Sequence, residues 1–171
     1  MIYYFAYGSN MLLARLRDRV PSAEPVGVGK LKEHVFRFHK RSKDGSGKGD
    51  IFRTGNLDGF VYGVVFRILG SEKDRLDRAE GLGQGYKEKR VRVVGSGQEW
   101  NAFSYYADPD YIDGSLQPYT WYQDFVVAGA RENDLPSKYI SKIEAVKAVQ
   151  DPDRKREGEN RRILEKKVFV N

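Results

Sequence analysis

The chain has 171 residues, of which 40% are hydrophobic and 13% aromatic, and it carries a formal net charge of +6. That size suits one domain with a core of its own, and the composition is not that of a disordered chain. Cysteine is absent, which excludes disulfides, thiolate nucleophiles and cysteine-bound zinc. His34 and His39 are the whole histidine complement. Two imidazoles without a clear third ligand make a poor zinc site, so no metal and no cofactor are expected. No apolar run approaches membrane-spanning length, and Met1-Ile2-Tyr3-Tyr4 offers no basic leader. A cytosolic protein with no membrane partner is the expectation.

The opening Ile2-Tyr3-Tyr4-Phe5-Ala6-Tyr7 is aromatic and β-branched, the composition of a buried strand. Gly8-Ser9-Asn10 follows as a turn. Met11, Leu12, Leu13, Leu16 and Val20 then recur with helical spacing. A strand that turns directly into a helix presents free backbone N–H groups, and Gly8 lets a ligand come close to them. Such a turn suits an anion; the plain alternative is a well-capped helix.

Pro21 and Pro25 end this helix. Residues 26–31 and 34–39 read as strands, and Ser42 to Gly49 as a Gly/Ser/Lys loop. Ile51-Phe52 suggests a short strand. From Lys30 to Arg53 eight cationic residues face three acidic ones, which concentrates most of the net charge there. A polyanion-binding patch is one reading of this segment. A solvated hairpin is the other, favoured because the loop lacks an aromatic residue for a base to stack on. No nucleic-acid partner is therefore expected.

Phe60 to Ile68 is an almost continuous apolar run and reads as a central strand. Ser71 with Asp74 has the form of a capping box opening a second helix, with Leu76 and Ala79 as its buried stripe. Gly81 is placed to end it, leaving Glu80 as the last helical residue. Residues 86–94 and 100–107 read as a long hairpin about Gly95-Ser96-Gly97. Thr120 and Gln123 form a second capping-box pattern, with Trp121, Phe125 and Ala128 on one helical face behind it. Asn133 and Pro136 break that helix. Tyr139, Ile140, Ile143, Val146 and Val149 stripe the next. We expect a domain over residues 1–150 and a charged tail or short helix over 151–171. Strands first and helices last imply an α+β fold around a mostly antiparallel, barrel-like sheet with flanking helices.

Glu80 stands at a helix C-terminus, where the dipole disfavours a carboxylate and sequences usually place Lys or Arg. Gly81, Gly83 and Gly85 keep the next loop narrow enough to be approached. A carboxylate so placed suits a group that takes and returns a proton. The bland alternative is a surface glutamate ahead of a helix-ending glycine.

Tyr4-Phe5-Ala6-Tyr7-Gly8-Ser9-Asn10-Met11 resembles the N-terminal signature of the gamma-glutamylcyclotransferase family. Leu76-Asp77, Glu80-Gly81 and Gly85-Tyr86 are similar to the context of that family's catalytic glutamate. Gly63 to Phe66, Tyr122 and the run Ala128 to Pro136 match further stretches, all in order over residues 2–146. The resemblance implies that Glu80 is the catalytic acid and base. It also implies that Tyr7, Gly8, Ser9, Asn10, Met11, Tyr86 and Tyr122 bind a small gamma-glutamyl substrate, which is cyclised to 5-oxoproline. A homodimer is compatible with it. Two departures matter. Gly49-Asp50-Ile51-Phe52 is more polar than the family's corresponding stretch. The Tyr-Gly-Ser-Asn form also points away from the glutathione-specific and gamma-glutamylamine cousins. A serine hydrolase built on Ser9 is disfavoured, since there is no Gly-x-Ser-x-Gly elbow and neither histidine has an evident relay carboxylate. Two further readings stay open: release of a gamma-glutamyl group from another amine, and a non-catalytic polyanion binder using Lys30 to Arg53.

Overall fold

The computed structural model describes residues 1–95 and 97–166. Seven strands are present: β1 (Ile2–Ala6), β2 (Glu24–Lys32), β3 (His34–Arg41), β4 (Gly47–Arg53), β5 (Phe60–Ile68), β6 (Tyr86–Gly95) and β7 (Glu99–Ala107). Five α-helices accompany them: α1 (Leu13–Arg17), α2 (Lys73–Glu80), α3 (Thr120–Glu132), α4 (Ser137–Glu144) and α5 (Arg154–Lys166). Five strands close a barrel in the order β1-β5-β2-β6-β7. Every neighbouring pair is antiparallel except the closing one, in which Tyr4 of β1 pairs in parallel with Phe103 of β7. β5 lies between β1 and β2, the central place that its apolar run implies.

The period of two along each strand divides the apolar residues into two cores. Phe5, Leu31, Val61, Val65, Val91, Val93, Trp100 and Ala102 fill the barrel, where β4 adds Ile51. Tyr4, Ala6, Val64, Phe66, Phe103 and Tyr105 point to the other face and are covered by residues such as Leu12, Leu16, Leu76 and Phe125. β3 and β4 form a separate two-stranded sheet. β4 begins at Gly47, so the expected loop is shorter than Ser42 to Gly49.

Neither capping box forms. The second helix is entered through a 3-10 turn over Gly70–Glu72, with no side-chain cap. Ala79 is exposed and does not belong to a buried stripe. Tyr119, not Thr120, occupies the N-cap position of α3, with no side-chain cap, and Gln123 reaches across to the Ile143 and Val146 carbonyls at 2.9 and 2.7 Å. The amide satisfies orphan carbonyls at the end of α4, which explains its position without a box. The N-terminal helix is also shorter than its apolar spacing suggests, a 3-10 turn over Ser9–Met11 followed by five residues of α1. Val146 and Val149 lie beyond α4, and Val146 is exposed.

The charged C-terminal segment forms α5, held by Arg161 to Asp124 and by Arg156 to the buried Asp151. Ser96 and residues 167–171 of the expected tail lie outside the described residues. Among the described residues no helix is long and apolar enough to cross a membrane.

Candidate active site

The strand directions bring one rim of the barrel together. β1 and β7 run parallel and end at this rim, and antiparallel β6 begins there. Tyr7, Tyr86 and Tyr105 are therefore neighbours although almost 100 residues separate the first from the last. Gly49 of β4 joins them: its carbonyl accepts from Tyr86 at 2.6 Å and from Tyr7 at 3.4 Å, and its N–H donates to the Tyr122 hydroxyl at 3.0 Å. Tyr7 also donates to the Tyr105 carbonyl at 2.9 Å.

Glu80 closes the opposite wall. It ends α2, and Gly81 follows with φ +72°, a left-handed conformation that suits glycine and stops the helix there. Its Oε1 accepts from Asn10 Nδ2 at 2.9 Å and from the Arg19 guanidinium. Arg19 donates to Asn10 Oδ1 at 2.9 Å as well, and Asn10 donates to the Tyr4 hydroxyl at 3.0 Å. Two side chains thus fix one carboxylate oxygen, while Oε2 takes part in no described hydrogen bond. The Glu80 side chain is 17% exposed and lines the cleft.

The cleft is narrow and is walled by Tyr4, Tyr7, Gly8 to Asn10, Gly49, Glu80, Tyr86, Tyr105 and Tyr122. Burial raises the pKa of the phenols of Tyr4, Tyr7, Tyr86, Tyr105 and Tyr122 above the ordinary tyrosine value. They are neutral hydrogen-bonding walls near pH 7, and Glu80 is the one carboxylate among the residues lining the cleft. The Gly8, Ser9 and Asn10 N–H groups have no acceptor among the described residues, whereas those of Met11 and Leu12 are used within the turn.

Seven of the eight residues singled out from the sequence line this cleft. Met11 does not: it is fully buried in the core, its backbone and Cβ packed close against Gly129. Arg19, Tyr4, Tyr105 and Gly49 belong to the site without having been singled out. Tyr4 opens the N-terminal motif, but Arg19 meets Glu80 across 61 residues and has no local signature. One further correction concerns the histidines. His39 Nε2 lies 2.8 Å from the buried Asp50, so it does have a carboxylate partner across the β3–β4 hairpin. No described hydrogen bond joins that pair to Ser9. Among the described residues no cluster of three or more candidate ligands could hold a metal ion.

Residues 60–143 match the model of the AIG2-like family. The human and mouse proteins named gamma-glutamylcyclotransferase are each 33% identical over 150 residues, covering 84% of this chain and 77% of the relative. A solved structure titled gamma-glutamyl cyclotransferase superposes with a TM-score of 0.85 at 30% identity, covering 96% of this chain and 98% of the other. With identity at this level over most of both chains, a barrel of the same form and an ordered set of matching motifs, the chain belongs to the gamma-glutamylcyclotransferase family.

Proposed function

We propose that the protein converts a γ-glutamyl amino acid into 5-oxoproline and the free amino acid, with Glu80 as general base and then general acid. Its family makes it an enzyme of the gamma-glutamylcyclotransferase type. One observation carries the finer reading: a carboxylate with one oxygen anchored and the other without a described partner shares a cleft of neutral tyrosines with a turn of unengaged N–H groups.

The substrate supplies its own nucleophile. Its α-ammonium gives a proton to Glu80 Oε2, and the free amine attacks the γ-carbonyl to form the five-membered ring. The ring nitrogen gives up its second proton as the tetrahedral carbon expels the amino acid nitrogen, which takes up both protons by way of Glu80 and leaves as an ammonium. One C–N bond forms and one breaks, with no net proton change and no water consumed. Folding the glutamyl chain into the ring geometry supplies much of the acceleration, which suits a small cleft. The Gly8 to Asn10 N–H groups would hold the α-carboxylate or the developing oxyanion. Asn10 and Arg19 keep Glu80 aimed.

Replacement of Glu80 by Gln tests the assignment. The change is isosteric and keeps an oxygen for Asn10 and Arg19, so the fold and melting temperature should be retained. Turnover of γ-glutamyl-alanine should fall ~10²–10⁴-fold, the usual worth of a general acid–base group. A variant with more than half the wild-type rate would sink the assignment.

A further inference from the structure

Outside the tyrosine-walled cleft lies a wider depression, which shares Ser9, Glu80, Tyr86 and Tyr122 with it. Four cations line it: Arg15, Arg19, Lys40 and Lys48. Two are neutralised, Arg19 by Glu80 and Lys48 by Asp44 at 2.7 Å. The other two have no carboxylate within ion-pair distance among the described residues. Lys40 is only 8% exposed, and its ammonium sits 4.5 Å over the Tyr86 ring without a described hydrogen-bond acceptor. The Arg15 guanidinium lies 4.4 Å over Phe125, and its Nε is buried with no hydrogen-bond partner.

A buried Lys40 and a half-buried Arg15, neither with a carboxylate in ion-pair distance, are costly, and ring faces compensate only part of that cost. Burial lowers the pKa of Arg15 to about 10 and pulls that of Lys40 down as well, so Arg15 stays charged near neutrality while its desolvation remains unrepaid. A ligand that brings two negative charges would satisfy both. The basic segment of the sequence is therefore not only a solvated hairpin: Lys40 and Lys48 turn inward over aromatic rings, Lys48 lying 4.4 Å over Trp121 and 4.6 Å over Tyr122.

We propose that this depression recognises the leaving amino acid and selects one with an acidic side chain, so that its two carboxylates pair with Arg15 and Lys40. The orientation rests on the cyclotransferase reading above. Glu80 stands in both walls, so the scissile amide lies where the two spaces meet. The inner cleft, with no lysine or arginine in its lining, takes the glutamyl part. The leaving part then extends into the cationic depression. A simple amine in that place leaves both cations unpaired, and a polyamine adds repulsion. Release of a γ-glutamyl group from a cationic amine is thus the disfavoured member of the two reactions open to this fold.

The test uses the wild-type protein and three N-glutaryl compounds, in which the α-amine is missing and cyclisation cannot occur. Calorimetry at low salt should rank N-glutaryl-aspartate about tenfold tighter than N-glutaryl-alanine, and that about tenfold tighter than N-glutaryl-ethylamine, as expected for charge-assisted contacts. Lys40→Met and Arg15→Met, on separate elements, should each bring the aspartate-to-alanine ratio within threefold. Equal binding of all three compounds, or an unchanged ranking in either folded variant, overturns the proposal. Turnover separates the two readings. If γ-glutamyl-aspartate gives no 5-oxoproline while the glutaryl ranking holds, the reaction is wrong and the subsite stands. If 5-oxoproline forms equally fast from γ-glutamyl-aspartate and γ-glutamyl-alanine and the glutaryl compounds bind alike, the subsite is wrong and the reaction stands.

Discussion

Replacing Gly49 by alanine should damage the site itself for one added carbon. Its carbonyl and N–H hold three of the cleft tyrosines, Tyr7, Tyr86 and Tyr122. A Cβ built there would lie 2.8 Å from Phe36 Cε2, 3.1 Å from Phe36 Cζ and 3.3 Å from the Tyr122 hydroxyl. The backbone at Gly49 is not left-handed, so the whole effect is one of space. Reaching ordinary contact at 3.4 Å requires the Phe36 ring to retreat by about 0.6 Å. That ring packs edge-on against Tyr7 and Phe38, and Phe38 packs against Tyr122, so the displacement is passed to the cleft wall. Overpacking of this size costs about 1–3 kcal/mol. Urea unfolding should show that loss for Gly49→Ala. The kcat/KM for γ-glutamyl-alanine should drop more than tenfold, since ångström-scale misplacement of reacting groups is expensive. Wild-type stability together with wild-type kcat/KM would refute the view that Gly49 organises the site.

Two further perturbations address the turn and the C-terminal anchor. At Gly8 a Cβ would sit 3.5 Å from the Tyr122 hydroxyl, an ordinary contact, so alanine should be tolerated; the methyls of Gly8→Val would enter the cleft. That variant should raise KM more than tenfold with little change in melting temperature, and unchanged KM would place the anion elsewhere. Asp151 accepts from Trp121 Nε1 at 2.8 Å, from Arg156 Nε at 2.6 Å and from the Asp153 N–H at 2.9 Å. Burial opposes its ionisation, but the bonds from Arg156, Trp121 and Asp153 outweigh that and lower its pKa to about 2. A depressed carboxylate stabilises the fold above its unfolded value of 3.8 and loses that contribution as pH falls toward 2. Asp151→Asn should therefore cost about 1–3 kcal/mol at pH 7, with the gap to wild type narrowing between pH 4 and pH 2. Urea midpoints across that range would show it, and a gap independent of pH would contradict it.

The legible parts of the fold were those whose cause is local. Phe60 to Ile68 is one strand with those bounds because its apolar run must be buried on both faces. The helix stop after Glu80 was equally plain, because Gly81 takes a backbone conformation that other residues avoid. The capping boxes failed where a distant partner made a better offer, as when Gln123 was drawn to the end of α4. Arg19 and the inward turn of Lys40 and Lys48 depend on partners brought close by barrel closure and by α3, which spacing along the chain does not encode. His39 and Asp50 are only 11 residues apart, yet their meeting depends on hairpin register. The seven cleft residues were legible largely through the ordered motifs of the family.

The central claim is that the substrate's own amine, relieved of its proton by Glu80, attacks the γ-carbonyl. The most direct measurement is mass spectrometry of the products formed from γ-glutamyl-aspartate or γ-glutamyl-alanine in water enriched in oxygen-18. Intramolecular attack predicts 5-oxoproline and the free amino acid in equal amounts, the 5-oxoproline carrying no label. Glutamate with oxygen-18 in its side-chain carboxylate would show that water is the nucleophile, and would contradict the account.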